Sequence, residues 1–108
     1  MKILEDLICK SEDTFNEIWF YAEKAHTLRH EHKALADTYI KIADMHIAIY
    51  NMLHERMVAL IEEEKHNGIK VPPEMQSIWD YEHKRMVKSF NEAKYLVDEY
   101  KKMGYWLC

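Results

Sequence analysis

The sequence predicts an all-α fold: three long antiparallel amphipathic helices in a single domain spanning residues 1–108. Three observations carry that expectation. Only two glycines and two prolines occur among 108 residues, too few for the turns of an all-β chain. Apolar residues recur at three- and four-residue steps over three long stretches, the period of helix faces packed in a bundle. The segment His66-Asn67-Gly68-Ile69-Lys70-Val71-Pro72-Pro73 concentrates helix stop and start signals in one place. Asn67 and Gly68 suit the left-handed closure of one helix, and Pro73 suits the first turn of the next.

The first helix is expected over about residues 3–29, with Leu4, Leu7, Ile8, Phe15, Ile18, Ala22 and Ala25 on one face. Ser11 offers an alternative start, capping a fresh helix after a separate turn or two over residues 2–9. No glycine or proline precedes residue 66. An unbroken helix of that length would run roughly 100 Å, too long for so small a protein to bury, so a reversal is required. The polar stretch Arg29-His30-Glu31-His32-Lys33 interrupts the apolar pattern and places that turn within residues 28–34. The second helix follows over about 33–66, with Leu35, Tyr39, Ile42, His46, Ile49, Leu53, Met57 and Leu60 as its inward stripe. The third runs over about 73–102, with Met75, Trp79, Glu82, Met86, Ala93, Val97 and Tyr100 inward. It is expected to stop at Gly104, Lys101 and Lys102 facing the negative end of its dipole.

Composition removes several function classes. Hydrophobic residues at 48% and charged residues at 31% describe a packed chain rather than a disordered one. A net charge of −4, from 15 basic against 19 acidic residues, argues against a phosphate-backbone binder, so nucleic acid is not an expected partner. Cys9 and Cys108 form no zinc-like spacing and fit a reduced, cytoplasmic setting. The opening Met1-Lys2-Ile3-Leu4-Glu5-Asp6 meets acid too early for a signal peptide, and no apolar run approaches the ~20 residues that span a bilayer, so no membrane association is expected. Nucleophile elbows, P-loops and dinucleotide fingerprints are absent, and the expectation is a protein that is not an enzyme.

Polar residues at stripe positions are the most informative. His46 falls between Ile42 and Ile49, Glu82 between Trp79 and Met86, and Ser11 and Thr14 lie close to the inward face of the first helix. A buried imidazole or carboxylate must find a partner or change its protonation. Counting back from the two expected reversals puts His46 level with Glu17 and His54 level with Glu82 and His83, to within about a turn. Glu17, His46, His54, Glu82 and His83 are thus the candidate metal ligands, for Fe, Zn or Mn. The competing reading makes them structural layers, with Glu82 paired to a histidine. Glu23-Lys24-Ala25-His26 also has the Glu-x-x-His spacing that turns two side chains toward one metal.

The second helix carries a resemblance. Ala34-Leu35-Ala36-Asp37-Thr38-Tyr39-Ile40-Lys41-Ile42-Ala43-Asp44-Met45-His46, followed by Asn51-Met52-Leu53-His54, resembles small ferritin-like, rubrerythrin-like proteins of gut bacteria and their phages; the likeness covers roughly residues 12–100. It implies a ferritin-like helical bundle and a phage association. Leu53-His54 and the third-helix His83, in Trp79-Asp80-Tyr81-Glu82-His83, match the family's pattern. Thr14 and Glu17 stand where the family has a carboxylate pair, and Ile49 stands where its second helix has a histidine. A di-iron site takes about four carboxylates and two histidines, so the resemblance implies the scaffold without the full ligand set.

Trp19, Phe20 and Tyr21 cannot share one core, because consecutive helical residues diverge by about 100°. The tail Met103-Gly104-Tyr105-Trp106-Leu107-Cys108 either folds back over the bundle end or completes an interface. Trp19, Phe20, Tyr21, Trp79, Tyr105 and Trp106 are therefore the expected interface residues. The expected function is a non-enzymatic interaction protein, a homodimer that binds a host or phage protein, with inhibition of a host factor as one form. The alternative is a metal-binding oxidoreductase-like or storage-like protein.

Overall fold

In the computed structural model the described residues form three helices: α1 (Lys2–Leu28), α2 (Lys33–His66) and α3 (Pro73–Leu107). The structure describes residues 2–66 and 73–107, with side chains placed except at 65–66, 73–75 and 104–107. The Asn67–Pro72 connection, Met75 as a stripe residue, and Tyr105 and Trp106 as interface residues lie outside that description. No strand occurs among the described residues, and none of their helices is long and apolar enough to cross a membrane.

The α1–α2 reversal occupies residues 29–32. The His32 amide donates to the Leu28 carbonyl at 2.8 Å, satisfying an orphan acceptor at the end of α1, and the His32 carbonyl accepts from Ala36 at 2.9 Å to open α2. A polar, exposed turn therefore closes without glycine.

Alanines set the spacing of the first pair of helices. Ala22 and Ala25 on α1 and Ala36 and Ala43 on α2 are fully buried, and these two helices pack most extensively. Bulky rings stand between α2 and α3, where Tyr50 stacks on Phe90 with centroids 4.1 Å apart, and those helices meet least. Ile18, Met57, Met86 and Val97 fill the centre of the bundle. Fully burying such side chains contributes about 1.5–3 kcal/mol each.

Three expectations are corrected. Ser11 is no cap: α1 is continuous, and the buried Ser11 hydroxyl donates back to the Leu7 carbonyl at 2.9 Å. The inward stripe of α2 is Ala36, Ile40, Ala43, Tyr50, Met57 and Ile61; of the expected stripe Met57 is fully buried, while Leu35 is 44% and Ile49 41% exposed. The helix is thus turned by roughly a quarter turn from the face its largest side chains suggest. Close approach to α1 selects small residues, and α2 has apolar residues on more than one side. Finally, α3 does not stop at Gly104 but continues to Leu107. A glycine inside a helix costs only about 1 kcal/mol, and Tyr105, Trp106 and Leu107 all admit helix.

Candidate functional site

Four of the five candidate ligands fall in two places: Glu17 and His46 beside one surface groove, and His54 and His83 between α2 and α3. In the first, Glu17 on α1 and His46 on α2 line one groove of about 420 Å³ together with Lys10, Asp13, Thr14 and Leu53. The His46 Nδ1–H donates to the Ile42 carbonyl at 3.0 Å, and the ring stacks on Tyr21 with centroids 5.7 Å apart. Glu17 is exposed, so the pair shares a surface groove rather than a buried core.

In the second, His54 and His83 face each other across α2 and α3 with their Nε2 atoms 2.9 Å apart. One ring must donate and the other accept, so the bond requires opposite tautomers. The two imidazoles are the middle of a ring array: Trp79 stacks on His83 at 5.5 Å, His83 on His54 at 5.1 Å, and His54 on Tyr50 at 6.0 Å. Burial pushes the His54 pKa below its ordinary value, and the neighbouring His83 pushes the same way against the opposing pull of Glu55. The buried Tyr50 hydroxyl has no hydrogen-bond partner among the described residues, and burial raises its pKa.

Glu82 does not pair with a histidine. It is held by Arg85, whose Nη2 lies 2.8 Å from its Oε2, and Arg85 also bonds Glu12 on α1. A guanidinium one turn along the same helix, with donors for two carboxylates, outcompetes an imidazole. Glu82 therefore belongs to an α1–α3 clamp, and among the described residues no three of His, Cys, Asp or Glu converge as a metal site would need. In the Glu-x-x-His spacing at Glu23 and His26, the histidine is likewise engaged elsewhere. His26 Nε2 lies 2.8 Å from the Leu96 carbonyl and its Nδ1 3.4 Å from the Arg29 guanidinium. A carbonyl only accepts and a guanidinium only donates, which fixes the Nε2–H tautomer.

Sequence reading missed a further contact between α2 and α3. The Tyr100 hydroxyl donates to Asp37 at 2.6 Å. Burial, with the Asp37 hydrogen bond and charge, pushes Tyr100 up to about 12, and that hydrogen bond holds Asp37 below its usual range. Asp37 lies on no apolar stripe, so only the tertiary pairing reveals its partner.

The expected interface aromatics divide. Trp19 and Phe20 are exposed on α1, Tyr21 is half-buried against Tyr39 and His46, and Trp79 is half-buried on His83. The most exposed apolar surface of α2 was not anticipated: Met45 is 65% and Met52 60% exposed, with Ile49 between them. These residues recur at four- and three-residue steps and form one outward face. They became visible as surface only once the true inward phase of α2 was known. Compared with protein-family models, curated proteins and solved structures, the chain matches none.

Proposed function

We propose that the chain is a small non-enzymatic interaction protein, working as a homodimer and offering apolar helix faces to a protein partner. The observation that carries this reading is the continuous Met45–Ile49–Met52 face, with Trp19 and Phe20 exposed on α1. A lone exposed apolar residue is ordinary, whereas a contiguous set on one helix face marks an interaction site. The polar groups, by contrast, are engaged with one another: Glu82 with Arg85, His26 with Leu96, Asp37 with Tyr100.

The scaffold we propose is a ferritin-like bundle with α2 antiparallel to both neighbours. The short 29–32 reversal and the pairs Ser11–Met57, Tyr21–His46, His54–His83 and Asp37–Tyr100 support it, because numbers fall along one helix as they rise along the next.

One observation favours the metal reading as a second possibility: two imidazole Nε2 atoms at 2.9 Å could turn toward one ion, with water completing its shell. Elemental analysis of protein purified without a histidine tag separates the readings. The interaction reading predicts well under one transition-metal ion per chain. One zinc, iron or manganese per chain, released by His54→Ala and by His83→Ala, would overturn it.

A further inference from the structure

The outward face of α2 has a symmetry that its inward face lacks. Along it stand Lys41, Met45, Ala48, Ile49, Met52 and Arg56, all exposed. Reversing the order about the Ala48–Ile49 bond maps Met45 onto Met52, Ala48 onto Ile49 and Lys41 onto Arg56. In an isologous two-fold contact residue i of one copy meets residue j of the other and j meets i, so about this axis each methionine faces a methionine and each end of the face carries a cation.

We propose that this face is a two-fold seam for a second copy of the chain, α2 lying antiparallel on α2 with the axis between Ala48 and Ile49. Met45 of each copy then packs on Met52 of the other, and the small Ala48 lets the helices approach. The charges at the ends of the seam select this arrangement. Lys41 and Arg56 lie on opposite edges of the face, so these like charges straddle the seam instead of meeting. Glu55, also exposed, lies on the same edge as Lys41 and within one residue of the level the two-fold gives it. Each dimer therefore gains two Lys41–Glu55 pairs, one at each end, and opposite charges at fixed places set register and direction. The Glu17–His46 groove adjoins the seam through Ile49, which lines it, so the second copy also covers the mouth of that groove.

The seam rests on the reading that the chain self-associates, and the test separates the two. Cys9 is exposed and is replaced by serine together with Cys108, after which Ala48→Cys is introduced near the axis and, separately, Ile78→Cys on the exposed surface of α3. Mild oxidation is expected to link the Ala48→Cys chain into dimers and to leave the Ile78→Cys chain unlinked. Met45→Glu and Met52→Glu, each at an exposed position, should raise the dimer dissociation constant at least about thirtyfold without changing helicity. Lys41→Glu and Glu55→Lys should each raise it about three- to tenfold, and the double exchange should return it to within about twofold of the parent. A chain that dimerises yet neither cross-links at position 48 nor responds to the methionine and charge changes would overturn the seam while leaving self-association intact. A parent chain that stays monomeric would overturn both.

Discussion

His54 and His83 show how much a single pair can alter an expectation. The level count brings them to the same height, and the structure joins them directly. What the count could not see is Arg85, which removes Glu82 and with it the reason to expect a raised histidine pKa. A carboxylate partner would have raised the histidine pKa and made mild acid stabilising; without it the pH dependence has the opposite sign. A histidine whose folded pKa is lowered leaves the native state intact above the ordinary value near 6.5 and weakens it as pH falls through that value. Melting temperature should therefore decline between about pH 6.5 and 5, and His54→Phe should flatten that decline. A parent chain more stable at pH 5.5 than at pH 7.5 would show that His54 pairs with an acid after all. Asp37 acts in a separate window: its lowered pKa contributes stability above the ordinary carboxylate value of 3.8 that is lost in stronger acid. Tyr100→Phe deletes its hydroxyl donor and should cost about 1 kcal/mol in denaturant unfolding at neutral pH. Tyr50→Phe, which removes a buried hydroxyl without a described partner, should leave stability unchanged or raise it.

At the level of elements, the helices were legible because periodicity and punctuation agree: the polar turn at residues 29–32 and the prolines at the start of α3 sit where the apolar stripes break. The facing of α2 was not legible. Leu35, Ile49 and Leu53 outweigh Ala36 and Ala43 in any hydrophobic sum, yet the alanines are buried because α1 comes close enough to leave room for nothing larger. Ala43→Leu should consequently destabilise the domain by about 1–3 kcal/mol through overpacking. Ile49→Ala, on the exposed side, should change monomer stability little. A small loss for Ala43→Leu beside a loss of about 2 kcal/mol or more for Ile49→Ala would restore the original facing. Turn tolerance makes a companion test: two glycines inserted after Glu31 should cost little, whereas the same insertion after Ile42 should unfold the chain.

The molecule as a whole is a rod of 56 × 19 × 18 Å with a radius of gyration of 17.1 Å. A compact chain of this length would have about 13 Å, so the bundle is long and thin and exposes much of each helix. Elongation explains why a chain with 48% hydrophobic residues still shows Met45, Met52, Ile78 and Tyr81 to solvent. Three slender helices have too little interior to absorb them, and association is the economical way to cover such faces. Sedimentation equilibrium of the full chain at micromolar concentration tests this most directly: the account predicts a species of twice the 13.1 kDa chain mass, and a single species at 13.1 kDa across that range would contradict it.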